Sequence, residues 1–368
     1  MHSVHAGSLS RRAGEGWGEG LPRAALATAL VAALALTGCV TPTTPPAPPA
    51  ATPTTTTPAS TATGEVVARS DRLLIYVPAA GETLRGIAAR LLGSEDRDWQ
   101  IAEANGGVSK AEPGQPLIVP LKAINPIGVH AGSYQTIPIL CYHRLGTTGG
   151  KMAVSPANFA AQMEWLVRND YRVLRLGQLT GFLEGKEPLP PKSVVVTFDD
   201  GYESVYRYAF PVLRKLGLPA TMFVYTDFVG AGDAVSWPQL VEMQASGLMD
   251  VQSHSKSHRN LIERTAGEND ARYVRNLDQE TAGPRDLIEQ KLSGQQVRQY
   301  AYPYGDANDQ VLEALTRQKY TLAVTVNPGG NAFFSQPLML RRTMIFGDHD
   351  LEAFKARLQT SRPIGKTP

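Results

Sequence analysis

His254 and His258 stand four residues apart in the run Ser253-His254-Ser255-Lys256-Ser257-His258. On a helical turn, two rings at that spacing share a face and reach one ion. Asp200, upstream, offers a hard carboxylate as a third ligand. Two imidazoles and one carboxylate leave positions open for water and substrate, which is the catalytic arrangement rather than the closed structural one. A divalent ion held there lowers the pKa of its water to about 7 and polarises a carbonyl. Asp199 faces away from Asp200 in a regular strand. Where the strand ends and turns at Gly201, both carboxylates can converge on the water, one as metal ligand and one as proton acceptor. Each signal alone is weak, since an isolated HxxxH is more often structural and Asp-Asp-Gly is usually a turn; their force lies in occurring together.

An alternation of strands and helices must bring these residues to one place. Ser193-Val194-Val195-Val196-Thr197-Phe198 is β-branched without alternation, as in a strand buried on both faces, and it runs into Asp199-Asp200-Gly201. Residues 137–142 read as a strand leading into His143, 250–253 into His254, and 299–301 into Tyr302-Pro303-Tyr304-Gly305. Further strands are expected at 171–174, 219–225 and 321–326, with helices at 159–167, 202–216, 237–245, 269–292 and 308–319. Repeated β-then-α units imply an α/β fold with a parallel sheet, open or closed into a barrel. Function in such folds collects at the C-terminal ends of the strands.

The 368 residues carry 36 Lys plus Arg against 34 Asp plus Glu, a net charge of +2. That balance argues against a nucleic-acid partner, which calls for a clustered basic excess. Two cysteines, Cys39 and Cys141, exclude a disulfide framework and a Cys-rich zinc site. Residues 24–64 hold no charge. Their first part, 24–36, is shorter than the ~20 residues of a membrane span. It follows Arg11, Arg12 and Arg23 and reads as the apolar core of a signal peptide. Residues 40–63 hold seven prolines and ten threonines. They suit an extended tether of roughly 75 Å at about 3.1 Å per residue. A small α+β module of βααβ type follows: a strand at 73–77, a helix capped by Thr83, a second capped by Asp98, and a strand at 117–119 after the Pro113-Gly114 turn.

Three resemblances add to this reading. Leu36-Thr37-Gly38-Cys39 resembles the lipobox of bacterial lipoproteins. That implies removal of 1–38, lipidation of Cys39, a tether over 39–70 and a membrane partner through the lipid anchor. It places the protein in the cell envelope, in the outer membrane or periplasm, because Val40 is not the Asp associated with inner-membrane retention. Residues 72–121 resemble a LysM module through Tyr76-Val77, Gly81-Glu82-Thr83-Leu84, Ile87-Ala88, Trp99, Ile101, Asn105, Gly114 and Leu117-Ile118-Val119-Pro120. The implied partner is peptidoglycan or another N-acetylglucosamine polysaccharide, in a groove that includes Gly81, Thr83 and Asn105. A linker is expected over 122–134.

Residues 135–360 resemble the polysaccharide deacetylases (NodB homology, carbohydrate esterase family 4). The resemblance rests on Thr197-Phe198-Asp199-Asp200-Gly201, the Ser253–His258 run and Tyr302-Pro303-Tyr304-Gly305. It implies a distorted (β/α) barrel that removes acetyl groups from N-acetylated sugars with a divalent metal, Zn2+ foremost and Co2+, Mn2+ or Ni2+ as alternatives. Carried over by position, Asp199 is the general base. Asp200, His254 and His258 bind the metal, the Tyr304 N–H holds the oxyanion, and Tyr302 and Pro303 line the substrate site. Two departures stand out. Ala301 occupies the place of an Arg that orients the base, with Arg341 or Arg342 as candidate replacements. The late Leu-x-x-His that supplies the general acid has no clean match. His143, in Tyr142-His143-Arg144, is similar to the Tyr-His of secreted poly-N-acetylglucosamine deacetylases and is expected to line the site. Two other readings stay open: a glycan-binding lipoprotein without activity, and a non-haem iron oxygenase site, in which the second Asp and Pro-Tyr-Gly have no role.

Overall fold

The computed structural model describes residues 63–148 and 150–365. Cys39, the expected signal segment and most of the expected tether lie outside these residues. The first strand, β1 (Glu65–Arg69), falls within the stretch assigned to the tether. It pairs antiparallel with β2 (Leu73–Val77) through a bulge between Val66 and Ala68. The open edge of β2 offers unpaired backbone groups, and the β-branched pair Val66-Val67 suits an extended chain there. Next come α1 (Leu84–Leu92), α2 (Asp98–Ala104) and β3 (Leu117–Pro120), which pairs with the other side of β2. Leu74, Tyr76, Ile87, Ala88, Ile101 and Val119 form a small core between helices and sheet. The 122–134 stretch is no loose linker: Val129–His130 and Ser133–Gln135 form a hairpin, and Ser361–Pro363 pairs onto it.

The large unit is a parallel sheet that closes on itself. Its strands are β4 (Ile137–Tyr142), β5 (Arg172–Leu174), β6 (Ser193–Phe198), β7 (Ala220–Val224), β8 (Met249–Ser253), β9 (Gln299–Ala301), β10 (Leu322–Val324) and β11 (Thr343–Met344). Parallel neighbours run β10-β9-β8-β7-β6-β4-β11. Just before β11, Leu340 bridges back to Val324 on β10, with the Leu340 N–H donating to Ala323 O at 2.9 Å. The segment 340–344 therefore lies between β10 and β4 and completes a distorted barrel. Helices α3 (Pro156–Arg168), α4 (Leu179–Leu183), α5 (Phe210–Leu216), α6 (Trp237–Ala245), α7 (Asp270–Lys291), α8 (Asp309–Arg317) and α9 (Leu351–Lys355) follow the strands.

Closure explains why β6 is buried throughout. Val194, Val196 and Phe198 pack outward into the main core, while Val195 joins Ile137, Ile139, Phe223, Ala301 and Val324 in a second, interior cluster. The period-2 alternation is intact; both of its faces are dry.

Candidate active site

Inward parity on β6 continues through Thr197 to Asp199, which is 2 % exposed. Asp200 then takes a left-handed backbone, φ 72°, and Gly201 follows at φ 88°. This reversal keeps both carboxylates at the barrel mouth, where a regular strand would send them to opposite faces. A Cβ on Gly201 would meet Val224 Cγ1 at 3.1 Å, so the turn also needs the missing side chain.

His254 follows β8, and its Nδ1 is 2.8 Å from Ala301 O. Donation to that carbonyl leaves Nε2 as the lone-pair nitrogen, 3.4 Å from Asp200 Oδ1. His258 Nε2 lies 3.3 Å from the same oxygen. The pair is not on a helical turn, contrary to the spacing argument. Residues 254–258 form a loop in which Ser255 (φ 75°) and His258 (φ 59°) are left-handed. The buried carboxylate of Glu280, on α7, accepts the N–H groups of Lys256 and Ser257 and the hydroxyl of Ser257 at 2.6–3.0 Å. Sequence spacing gave no sign of Glu280.

The three donors fit one divalent ion. Ligand atoms about 2.0–2.1 Å from a tetrahedral ion sit roughly 3.3–3.4 Å apart, and the two Asp200–His separations are 3.4 and 3.3 Å. All three donor atoms lie within 4.8 Å of one another. Burial favours a neutral His254, but the charges of Asp199 and Asp200 outweigh it and raise its pKa above the ordinary imidazole value.

Arg342 is wholly buried and grips Asp199 with two parallel bonds of 2.6 Å, Nη1 to Oδ1 and Nη2 to Oδ2. Its Nε donates to Thr325 O at 2.7 Å. The guanidinium thus occupies the role vacant at Ala301, reaching the base from the segment that closes the barrel. Burial alone would raise the Asp199 pKa. The Arg342 and His254 charges and the Arg342 hydrogen bonds reverse that and bring it to about 2. Cys141 Sγ stands 3.5 Å from Asp199 Oδ2 as a buried free thiol.

His143 reaches the same chamber. A ring nitrogen, Asp199 and Cys141 lie mutually within 4.8 Å, and His143 Nδ1 is buried with no hydrogen-bond partner among the described residues. Its pKa is lowered, chiefly by burial. Tyr304 has a left-handed backbone (φ 62°) and is 61 % exposed, with its ring 5.0 Å from the His258 ring. Tyr225, Phe228 and Tyr202 extend an aromatic wall from His258, at centroid separations of 5.1, 4.9 and 5.7 Å. Sequence reading missed that wall, although Tyr202 and Tyr225 both follow strand ends.

Other expected contacts are corrected. Tyr302 is 1 % exposed and donates to Leu338 O, packed in the outer core, so its side chain is closed to a substrate. Pro303 is also buried. In the module, the Thr83 hydroxyl caps α1 through Gly86 N, and Gly81 (φ 85°) makes the exposed turn before it. The Asn105 amide is consumed by Ile101 O and both backbone groups of Ile118. It braces α2 on β3 and is not free for a sugar.

Residues 186–323 match the family model described as Polysaccharide deacetylase. The structure of IcaB from Ammonifex degensii is 31% identical with a TM-score of 0.55, over 61% of this chain and 98% of that one. The chain belongs to the polysaccharide deacetylase family. This deacetylase is also similar to the Streptococcus pyogenes deacetylase PplD, solved in complex with acetate, at 27% identity and TM-score 0.56 over 61% of this chain and 98% of that one. The poly-beta-1,6-N-acetyl-D-glucosamine N-deacetylase of Staphylococcus aureus is 28% identical over 51% of this chain and 68% of that protein. The putative polysaccharide deacetylase YxkH of Bacillus subtilis is 29% identical over 61% and 77%. As a family member the protein is a hydrolase, and the oxygenase reading is set aside.

Proposed function

We propose that this deacetylase hydrolyses the N-acetyl group of N-acetylglucosamine units in peptidoglycan or a related cell-surface polysaccharide, releasing acetate and a free amine. The observation that carries this reading is the Asp200–His254–His258 triad, spaced for one ion, beside a second carboxylate clamped by Arg342. A divalent ion, most simply Zn2+, would polarise the amide carbonyl and make its water acidic. Asp199 accepts the proton from the attacking water, and Arg342 fixes that carboxylate in one orientation. The Tyr304 N–H is the donor we assign to the developing oxyanion. His143 lines the chamber beside Asp199 and Cys141. Tyr304, Tyr225 and Tyr202 offer faces on which sugar rings stack. The module at 72–121 holds the enzyme on glycan and raises the local substrate concentration, and a lipid on Cys39 anchors it in the envelope.

The test is acetate release from peptidoglycan and from N-acetylglucosamine oligomers. Asp199→Asn is expected to lower release at least ~100-fold while metal content stays equal to wild type. Equal release by the two proteins would overturn the assignment of the base.

A further inference from the structure

Trp99 has no part in the core of the small module: neither the buried cluster around Tyr76, Ile87 and Ile101 nor the residues packed on it include this ring. On α2, Trp99 and Glu103 stand one turn apart, as do Gln100 and Ala104, on a face that Ile101 does not share. These four residues line a cavity of about 190 Å³. It is closed by Pro120 at the end of β3, by Ile124 and Asn125, and by Pro188 in the loop before β6. Module, connecting segment and barrel each supply a wall, and the walls are tied down. Asp98, next to Trp99, takes both 2.9 Å bonds from Arg172. The Asn125 amide bonds both backbone groups of Val129, and Gln135 Nε2 donates to Pro190 O at 2.6 Å. A cavity fixed in this way needs little reordering to take a ligand. Its chemistry is that of a sugar site. Gln100 Oε1 is buried with no hydrogen-bond partner among the described residues. A buried acceptor left unmade is costly, and a ligand hydroxyl or amide N–H relieves it. Trp99 is half-buried and brings a flat apolar ring, the surface on which the C–H side of a pyranose packs. Glu103 is the one charged lining residue, exposed at the rim, and no Lys or Arg lines the cavity, so an anion finds no partner there. The volume is that of about six waters at about 30 Å³ each, room for one sugar unit.

We infer that this cavity seats one uncharged sugar of a glycan chain, with Trp99 against the ring and the Gln100 amide bonded to a hydroxyl or acetamido group. The inference rests on the proposal that the module holds glycan and deepens it: the contact lies here, and not at Gly81, Thr83 and Asn105. A chain bound in the cavity touches module and barrel at once and braces the junction between them.

The test uses the full chain and the N-acetylglucosamine tetramer, read by limited proteolysis within 122–130. The tetramer is expected to slow cleavage of wild type. The concentration giving half-protection should rise at least about tenfold in Trp99→Ala and about fivefold in Gln100→Leu. Gln100→Leu fills the same space without an unpartnered acceptor, so its Tm should equal or exceed that of wild type, which separates lost binding from lost folding. Equal protection of wild type and both variants, as for a sugar held only at the catalytic mouth, would overturn the inference, as would no protection of wild type. Protection by a synthetic peptide of residues 40–62, with none by the tetramer, would also overturn it and give the cavity to the chain's own proline-rich segment. Acetate release by wild type from the same tetramer is measured in parallel. Release without protection removes the sugar site and leaves the proposed reaction standing, whereas protection without release keeps the sugar site and counts against the proposed substrate.

Discussion

Asp199 and Arg342 are a buried pair in which each charge is tolerable only because of the other. A bidentate bond in a dry barrel offsets desolvation, and removing one partner strands the other. Arg342→Met is therefore expected to destabilise the fold by about 3–5 kcal/mol in denaturant unfolding. Adding Asp199→Leu to it should restore part of the loss; a double variant no more stable than Arg342→Met would contradict this. The same pair sets an acid limb. The Asp199 carboxyl is depressed from 3.8 to about 2 in the folded protein. A depressed carboxyl contributes stability that is present above its unfolded pKa and is lost as pH falls toward the folded value. Between about pH 4 and pH 2, wild type should lose stability more steeply than Asp199→Asn. Parallel acid limbs would show that other carboxylates dominate. The absence of an Arg at Ala301, which favoured an inactive glycan binder on sequence grounds, loses its weight once Arg342 is seen on the base.

The loop 254–258 shows how an element can be specified from outside itself. Two left-handed non-glycine residues cost energy, and the Glu280 carboxylate holds them by accepting three donors. Glu280 is in turn placed by a proline inside α7. Pro284 has no N–H, so the Glu280 carbonyl is released from the helix ladder and receives the Tyr300 hydroxyl at 3.4 Å. Glu280→Gln cannot accept all three donors as a carboxylate does. It is expected to weaken metal binding by 10–100-fold, with far-UV circular dichroism unchanged. Unaltered metal affinity would show that the loop holds its own shape. A second departure from regularity lies after Asp200, where the single helix expected over 202–216 contains a π-helical turn at Val205–Ala209. Pro211, in the first turn of α5, cannot donate into a regular ladder, and the wide turn absorbs the missing bond.

At the scale of the whole chain, the small module sits at the end of the barrel away from the chemistry. Asp98, at the start of α2, takes both 2.9 Å bonds from Arg172 Nη2, and Arg172 opens β5 opposite Ser193, the first residue of β6. Asp199 lies past the last residue of β6, about 20 Å further at 3.3 Å per residue. A glycan held on the module, as proposed, would not be threaded directly into the catalytic mouth. Arg172→Ala is expected to cost only about 1 kcal/mol of stability and to speed proteolysis within 122–130; unchanged cleavage would show that the hairpin alone fixes the module. Strand ends and their chemistry were legible because they are local. A β-branched run followed by Asp-Asp-Gly, or a strand followed by His, is written in adjacent residues, as is the capping of α1 by Thr83. Arg342 was not legible as the partner of Asp199, 143 positions away, because only barrel closure brings the two together. The same holds for Glu280 and the aromatic wall. Periodicity fixes which way a side chain points within its own element, whereas which side chains meet depends on strand register and on how the sheet curls shut. Those are set by the packing of the entire barrel.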